Sequence, residues 1–210
     1  IDISEAMMMD GVIDVITGAE IGAAIQPLMN GLDTPKVQRF PLAVNRVRYA
    51  GEWVCAVVAE SRAIAEDALE KIIIDATPQP FVLDAEEALL PSSPPVHPEH
   101  GSNILLDRKF VWGTVGEDFV NAEHNLSFSV IWGRNSTVPI ETFGVVAEWN
   151  GWDNILDVWA SVQMPKYSDQ IARCLNLPGN AVRVHYDVDV GGSYGVKRGI
   201  KHATLLGYIA

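Results

Sequence analysis

Residues 182–190, Val-Arg-Val-His-Tyr-Asp-Val-Asp-Val, alternate apolar and polar side chains and run straight into Gly191-Gly192-Ser193-Tyr194-Gly195. Strict alternation is the pattern of a half-buried strand, so a strand is expected over 182–190. The three glycines within the next five residues let the backbone reach positive φ and let its amides approach a ligand with no Cβ in the way. From Val196 a basic, increasingly apolar segment reads as a helix. The free N–H groups and dipole of such a helix would suit a phosphate or another oxyanion. Lys197, Arg198 and Lys201 place three of the chain's 15 Lys/Arg within five residues. The plain alternative is a tight turn followed by a solvated basic helix face.

The same residues satisfy G-x-S-x-G, the strand-to-helix elbow that exposes a nucleophilic serine. Serine alone is a weak nucleophile and needs a histidine oriented by an acid. After Ser193 there is no Asp or Glu, and the only histidine is His202, so the triad cannot be completed in that order. A serine hydrolase using Ser193 is therefore carried only as an alternative, beside a non-catalytic scaffold or anion-binding module. Neither dinucleotide nor Walker phosphate loops are matched. His97 and His100 flank Pro98-Glu99 without further zinc partners and read as a surface loop, while His124 and His185 read as structural. Cys55 and Cys174 belong to no CxxC or Cys/His pattern and read as small buried hydrophobes.

These residues need a frame, and the rest of the chain supplies one. Strands are expected over 11–17 and 54–59, a helix capped by Ser61 over 61–71, and a further strand over 72–75. Six prolines between 77 and 102 then prevent helix and sheet interiors, so an extended linker and a domain boundary belong there. Beyond it, strands are expected over 110–112, 126–132, 144–149 and 156–162, with helices over 117–123 and 167–175; Pro178-Gly179 ends the last.

With 15 Lys/Arg against 27 Asp/Glu the formal charge of the 210 residues is −12, which argues against a nucleic-acid backbone as partner. The 48% apolar share is enough for a sizeable core. Apolar runs such as 54–59 fall far short of the ~20 residues of a membrane span. No signal peptide is visible, a cytoplasmic location is expected, and both ends of the chain read as cut.

Four ordered segments resemble the molybdenum-containing large subunits of the xanthine dehydrogenase, aldehyde oxidase and carbon monoxide dehydrogenase family. They are Leu42-Ala43-Val44-Asn45-Arg46-Val47-Arg48-Tyr49-Ala50-Gly51-Glu52 with Val57-Val58-Ala59-Glu60; Pro139-Ile140-Glu141-Thr142-Phe143-Gly144 with Ala147-Glu148-Trp149; Ser161-Val162-Gln163-Met164-Pro165; and 189–197. The resemblance implies an α+β fold: an α/β hammerhead domain over 1–80, a Pro-rich linker over 81–101, and over 102–210 the first part of a molybdopterin-binding α+β domain. It implies that Gln163 hydrogen-bonds an oxo ligand of molybdenum, and that Gly192, Ser193, Tyr194 and Gly195 lie against metal and pterin. No side chain here is implied as a metal ligand. Ser193-Tyr194 replaces the family's common Gly-Phe. Arg198 stands where purine-oxidising members carry a glutamate that meets the heterocycle, which turns the expected substrate toward an anionic or carbonyl-bearing small molecule.

The implied activity is hydroxylation of an aldehyde, N-heterocycle or similar carbon centre with oxygen from water. The implied cofactor is molybdopterin, with the cytosine dinucleotide form as one candidate. Electrons would leave through 2Fe-2S centres to FAD on partner chains or domains, and no cluster-binding cysteine signature occurs here. The family's glutamate base is expected beyond Ala210, in the rest of the large subunit.

Overall fold

The computed structural model describes residues 1–28, 37–133, 135, 137–186 and 189–210. Its first half is built on a two-stranded antiparallel ribbon. Helix α1 (Ser4–Met7) leads to β1 (Val12–Thr17) and α2 (Gly18–Ala24); β2 (Cys55–Ala59) then leads to α3 (Arg62–Leu69). The ribbon pairs Val12 with Ala59 and Thr17 with Cys55, with an irregularity between Val12 and Asp14. Successive strand side chains point to opposite faces, so the neighbours Val15 and Ile16 enter different cores. Val15 packs with Ala6 and Ala68 under α1 and α3; Ile16 packs with Ile21, Ile25, Leu42 and Leu205 under α2. Helices α2 and α3 start where a side chain can accept a free amide. Thr17 Oγ1 takes the Glu20 N–H at 3.3 Å, and Ser61 Oγ takes the Ile64 N–H at 3.3 Å.

The strand expected over 72–75 shrinks to a single bridge between Ile73 and Asp2. A β-branched run becomes a strand only where a partner offers a hydrogen-bonding edge, and among the described residues only Asp2, before α1, does so. The proline-rich stretch is irregular apart from a 3₁₀ turn (Glu87–Leu89). Helix α4 (Val115–Asn121) forms close to its expected place, but the strands expected over 110–112 and 126–132 do not. Leu126, Phe128, Val130 and Trp132 keep their alternation and stand in solvent, because no described strand presents an edge to them.

The second sheet has the order β3-β4-β5. β3 (Val145–Asn150) runs antiparallel to β4 (Ile155–Ala160), from Val145 opposite Ala160 to Asn150 opposite Ile155. Asn150 Oδ1 accepts the Trp152 and Asp153 amides, and Asn154 takes φ 53°, closing the hairpin. β4 then crosses over through α5 (Tyr167–Cys174) to a parallel β5 (Val182–His185). The expected strand over 182–190 is shorter than its alternation, since the register places His185 opposite Trp159, one residue from the end of β4. Residues 187 and 188 lie outside the described residues.

Helix α6 (Lys201–Ile209) packs with α5 against the sheet. Leu156, Val158, Tyr167, Ile171, Cys174, Val182 and Ala203 form that core. The two halves are joined: Leu205 of α6 belongs to the Ile16 core, the Gln26 N–H donates to the Cys174 carbonyl at 2.8 Å, and Tyr208 donates to Glu20 at 3.0 Å. Cys174 is buried as expected, its Sγ 3.7 Å from the Pro27 carbonyl oxygen, and Cys55 is half-buried, where desolvation pushes its pKa up. Among the described residues no helix is long and apolar enough to cross a membrane.

Candidate cofactor site

Topology assembles the site before any side chain does. β4 and β5 are parallel, so their C-terminal ends share one edge of the sheet, and antiparallel β3 begins at that same edge. Three segments therefore meet: Glu141 leading into β3, Ser161 to Gln163 leaving β4, and the glycine turn following β5. Open sheets bind ligands outside the carboxyl ends of their parallel strands for this reason.

The turn itself differs from the expectation. Positive φ falls on Tyr194 (48°) and Gly195 (99°), not on Gly191 or Gly192. A non-glycine residue held there is strained by roughly 1–3 kcal/mol, a cost that clusters at functional positions. Gly191 serves a different purpose: a Cβ on it would come within 2.6 Å of Glu141 Oε2, so only glycine allows that carboxylate to reach its amide.

The helix expected from Val196 is a 3₁₀ turn over Val196–Arg198, and α6 starts only at Lys201. Short-range acceptors explain the change: the Val196 amide donates to the Ser193 carbonyl at 2.9 Å and the Lys197 amide to Ser193 Oγ at 3.2 Å. Among the described residues no α-helix starts at the turn. Among the described residues no acceptor meets the amides of Gly192, Tyr194 or Gly195, which lie at the surface.

The basic cluster separates three ways. Lys197 is fully buried and ion-paired through Nζ with Glu141 Oε1. Lys201 sits with its ammonium 3.9 Å from the Trp53 ring centroid, and desolvation lowers its pKa. Arg198 alone of the three remains in solvent.

Glu141 is the organising acid. Lys197 binds one oxygen, the Gly191 N–H donates to the other at 2.6 Å, and Ser161 adds a further hydrogen bond; Lys197 first and Gly191 second hold the carboxyl below its ordinary pKa. The Gln163 N–H donates to the Lys197 carbonyl at 3.0 Å. Gln163 thus stands one hydrogen bond from the end of the glycine turn, with its side chain exposed. Tyr167 Oη, donating to the Gly199 carbonyl at 3.1 Å, ties α5 to the same stretch; burial raises its pKa. Neither Glu141 nor Lys197 could be paired from sequence, because 56 residues separate them. The only signal was that each lies inside a segment carrying the family resemblance.

A cleft of about 680 Å³ at this edge is lined by Glu141, Trp159, Ser161, His185 and Asp189; Gln163 and residues 192–195 do not line it. His185 Nε2 meets Asp157 at 2.6 Å and stacks on Trp159, a structural role. His97 pairs with Glu99 at 3.2 Å, His100 with the Ile104 carbonyl at 3.0 Å, and exposed His124 lies 3.7 Å from Glu123. His202 is wedged edge-on between Trp53 and Phe143, each 4.8 Å away between ring centroids. Among the described residues no histidine or acid hydrogen-bonds Ser193, so no hydrolytic triad forms around it.

Comparison with known proteins places this architecture in one class. Residues 96–210 match the family model of the molybdopterin cofactor-binding domain, and residues 1–80 match that of the aldehyde oxidase and xanthine dehydrogenase a/b hammerhead domain. The 6-hydroxypseudooxynicotine dehydrogenase complex subunit gamma of Paenarthrobacter nicotinovorans is 36% identical over 159 residues, 76% of this chain and 20% of that protein. Aldehyde oxidase 1 of Cavia porcellus is 34% identical over 200 residues, 94% of this chain and 14% of that protein. Quinoline 2-oxidoreductase from Pseudomonas putida 86 superimposes with a TM-score of 0.85 at 27% identity, over 99% of this chain and 27% of that one. The chain belongs to the aldehyde oxidase and xanthine dehydrogenase family of molybdopterin-dependent proteins.

The residues present fit such a cofactor. An anionic pterin would need hydrogen-bond donors that cost nothing to expose, and the edge offers three surface amides, the Gln163 side-chain amide and the Tyr194 hydroxyl. Nothing lies within 4 Å of where a Cβ on Gly195 would stand, which leaves room for close approach.

Proposed function

We propose that the chain is part of the large subunit of a molybdenum hydroxylase, and that Gln163, Gly192, Ser193, Tyr194 and Gly195 hold its molybdopterin. The observation that carries this reading is the meeting of Gln163 and the glycine turn at one sheet edge, joined by the Gln163 N–H to Lys197 carbonyl hydrogen bond. When bound, the cofactor supplies the two-electron chemistry by which a carbon centre gains oxygen from water. The protein's part is placement. The Gln163 side-chain NH₂ would donate to the cofactor, the amides of Gly192, Tyr194 and Gly195 would donate to its anionic groups, and the Tyr194 hydroxyl would reach cofactor or substrate. Ser193 holds the turn closed through the Lys197 amide.

Arg198, exposed beside the turn, suits an anionic or carbonyl-bearing substrate. Aldehydes and N-heterocycles are the substrate classes that the relatives' names support. The 2Fe-2S and FAD centres belong to partner subunits or domains, the rest of the large subunit supplies the glutamate base, and the complex is cytoplasmic. The chain is divided into a hammerhead over 1–80, a linker over 81–101 and the start of the cofactor domain over 102–210; the family match over 1–80 supports the first boundary, while the second match begins at residue 96, inside the linker.

Metal and pterin analysis of the intact native complex tests the reading. Molybdenum and a pterin in stoichiometric amount are expected. Absence of both would remove the hydroxylase assignment and leave the scaffold alternative.

A further inference from the structure

We propose that Glu141 and Lys197 are positioning residues, a buried strut that fixes the glycine turn against Gln163 and so sets the two halves of the cofactor site in register. The proposal rests on the functional reading above and adds residues to it. Lys197 has no exposed surface, and a buried ammonium persists only when paired. Its partner Glu141 reaches it from the segment before β3 while its second oxygen takes the Gly191 amide at the turn's first residue. Lys197 also uses its backbone in both directions: its amide donates to Ser193 Oγ at 3.2 Å, and its carbonyl accepts from Gln163 at 3.0 Å. One residue pair therefore ties the segment before β3, the exit of β4 and both ends of the turn. A loop strained at positive φ, as at Tyr194, holds its shape only when the surroundings over-determine it, and no other ion pair among the described residues reaches this turn.

The test uses the full-length large subunit in its assembled complex, with Glu141→Gln and Lys197→Met. Glu141→Gln keeps the shape and is expected to fold, so it carries the experiment if Lys197→Met does not assemble. Loss of the strut is expected to speed hydrogen exchange of the peptide 189–199 by ~10-fold or more and to displace the molybdenum electron-paramagnetic-resonance spectrum. It is also expected to lower kcat by ~10–100-fold with KM little changed, the scale seen when outer contacts of a metal site are removed. A loaded Glu141→Gln complex with wild-type exchange, spectrum and kcat overturns the proposal and leaves the functional reading standing. So does a variant that melts earlier with spectrum and kcat unchanged, since that is a purely structural role. A wild-type complex without molybdenum and pterin overturns both.

Discussion

A side-chain amide outside a strand end costs little in folding and is worth most where charge develops, the role proposed for Gln163. Its side chain is exposed and its backbone is held by Lys197. Gln163→Ala is expected to slow turnover of the intact complex by ~10–1,000-fold, the scale of one preorganised polar contact at a reacting centre; steady-state kinetics checks it, and wild-type turnover would remove Gln163 from the site. His202 yields a prediction of a different kind. Burial first, and Lys201 second, lower its pKa below 6.5, so the folded state disfavours its protonated form. The unfolded chain then binds more protons below that value, and the contribution of His202 to stability is full above it and falls as the pH drops through it. His202→Phe should flatten the loss of melting temperature between pH ~7 and ~5.5 in the intact subunit. An unchanged slope would place the acid sensitivity elsewhere.

Among the elements, strands β1 to β5 were legible because their patterns are local, whereas their pairing into a ribbon and a β3-β4-β5 sheet was not. Apolar runs bounded by Gly, the capping Ser61 and the Pro178-Gly179 stop depend on neighbours in sequence, whereas helix α2 with its Thr17 cap was not expected. The strands expected over 72–75, 110–112 and 126–132 have the same local pattern and fail, because a strand also needs an edge to pair with, and edges are set by topology. Close approach is likewise invisible in sequence. A Cβ on Gly18 would lie 1.7 Å from the Ala43 carbonyl oxygen, which is backbone and cannot swing away. Gly18→Ala should destabilise the subunit by about 3 kcal/mol or more, read from denaturant unfolding. A loss under ~1 kcal/mol would mean that the 42–44 segment moves freely against α2.

For the whole molecule, the two matched regions are not independent bodies, since Leu205 of α6 is buried in the core of the first ribbon and Tyr208 bonds Glu20. Leu205→Ala should cost about 2–5 kcal/mol and lower the protection of β1 and α6 together in hydrogen exchange. Separate responses would show that the seam is weak. By itself the sequence determined which strands and helices local pattern can specify, and through four ordered segments it marked the family and the turn at which Gln163 and residues 192–195 were sought. Tertiary structure alone decided the fate of the charges. Lys197, Arg198 and Lys201 look alike on paper, yet one is buried against Glu141, one lies over Trp53 and one faces water. The physical reason is range: backbone propensity and side-chain alternation act over a few residues. An ion pair between positions 56 apart exists only because a parallel crossover brings the ends of β4 and β5 to the edge where β3 begins.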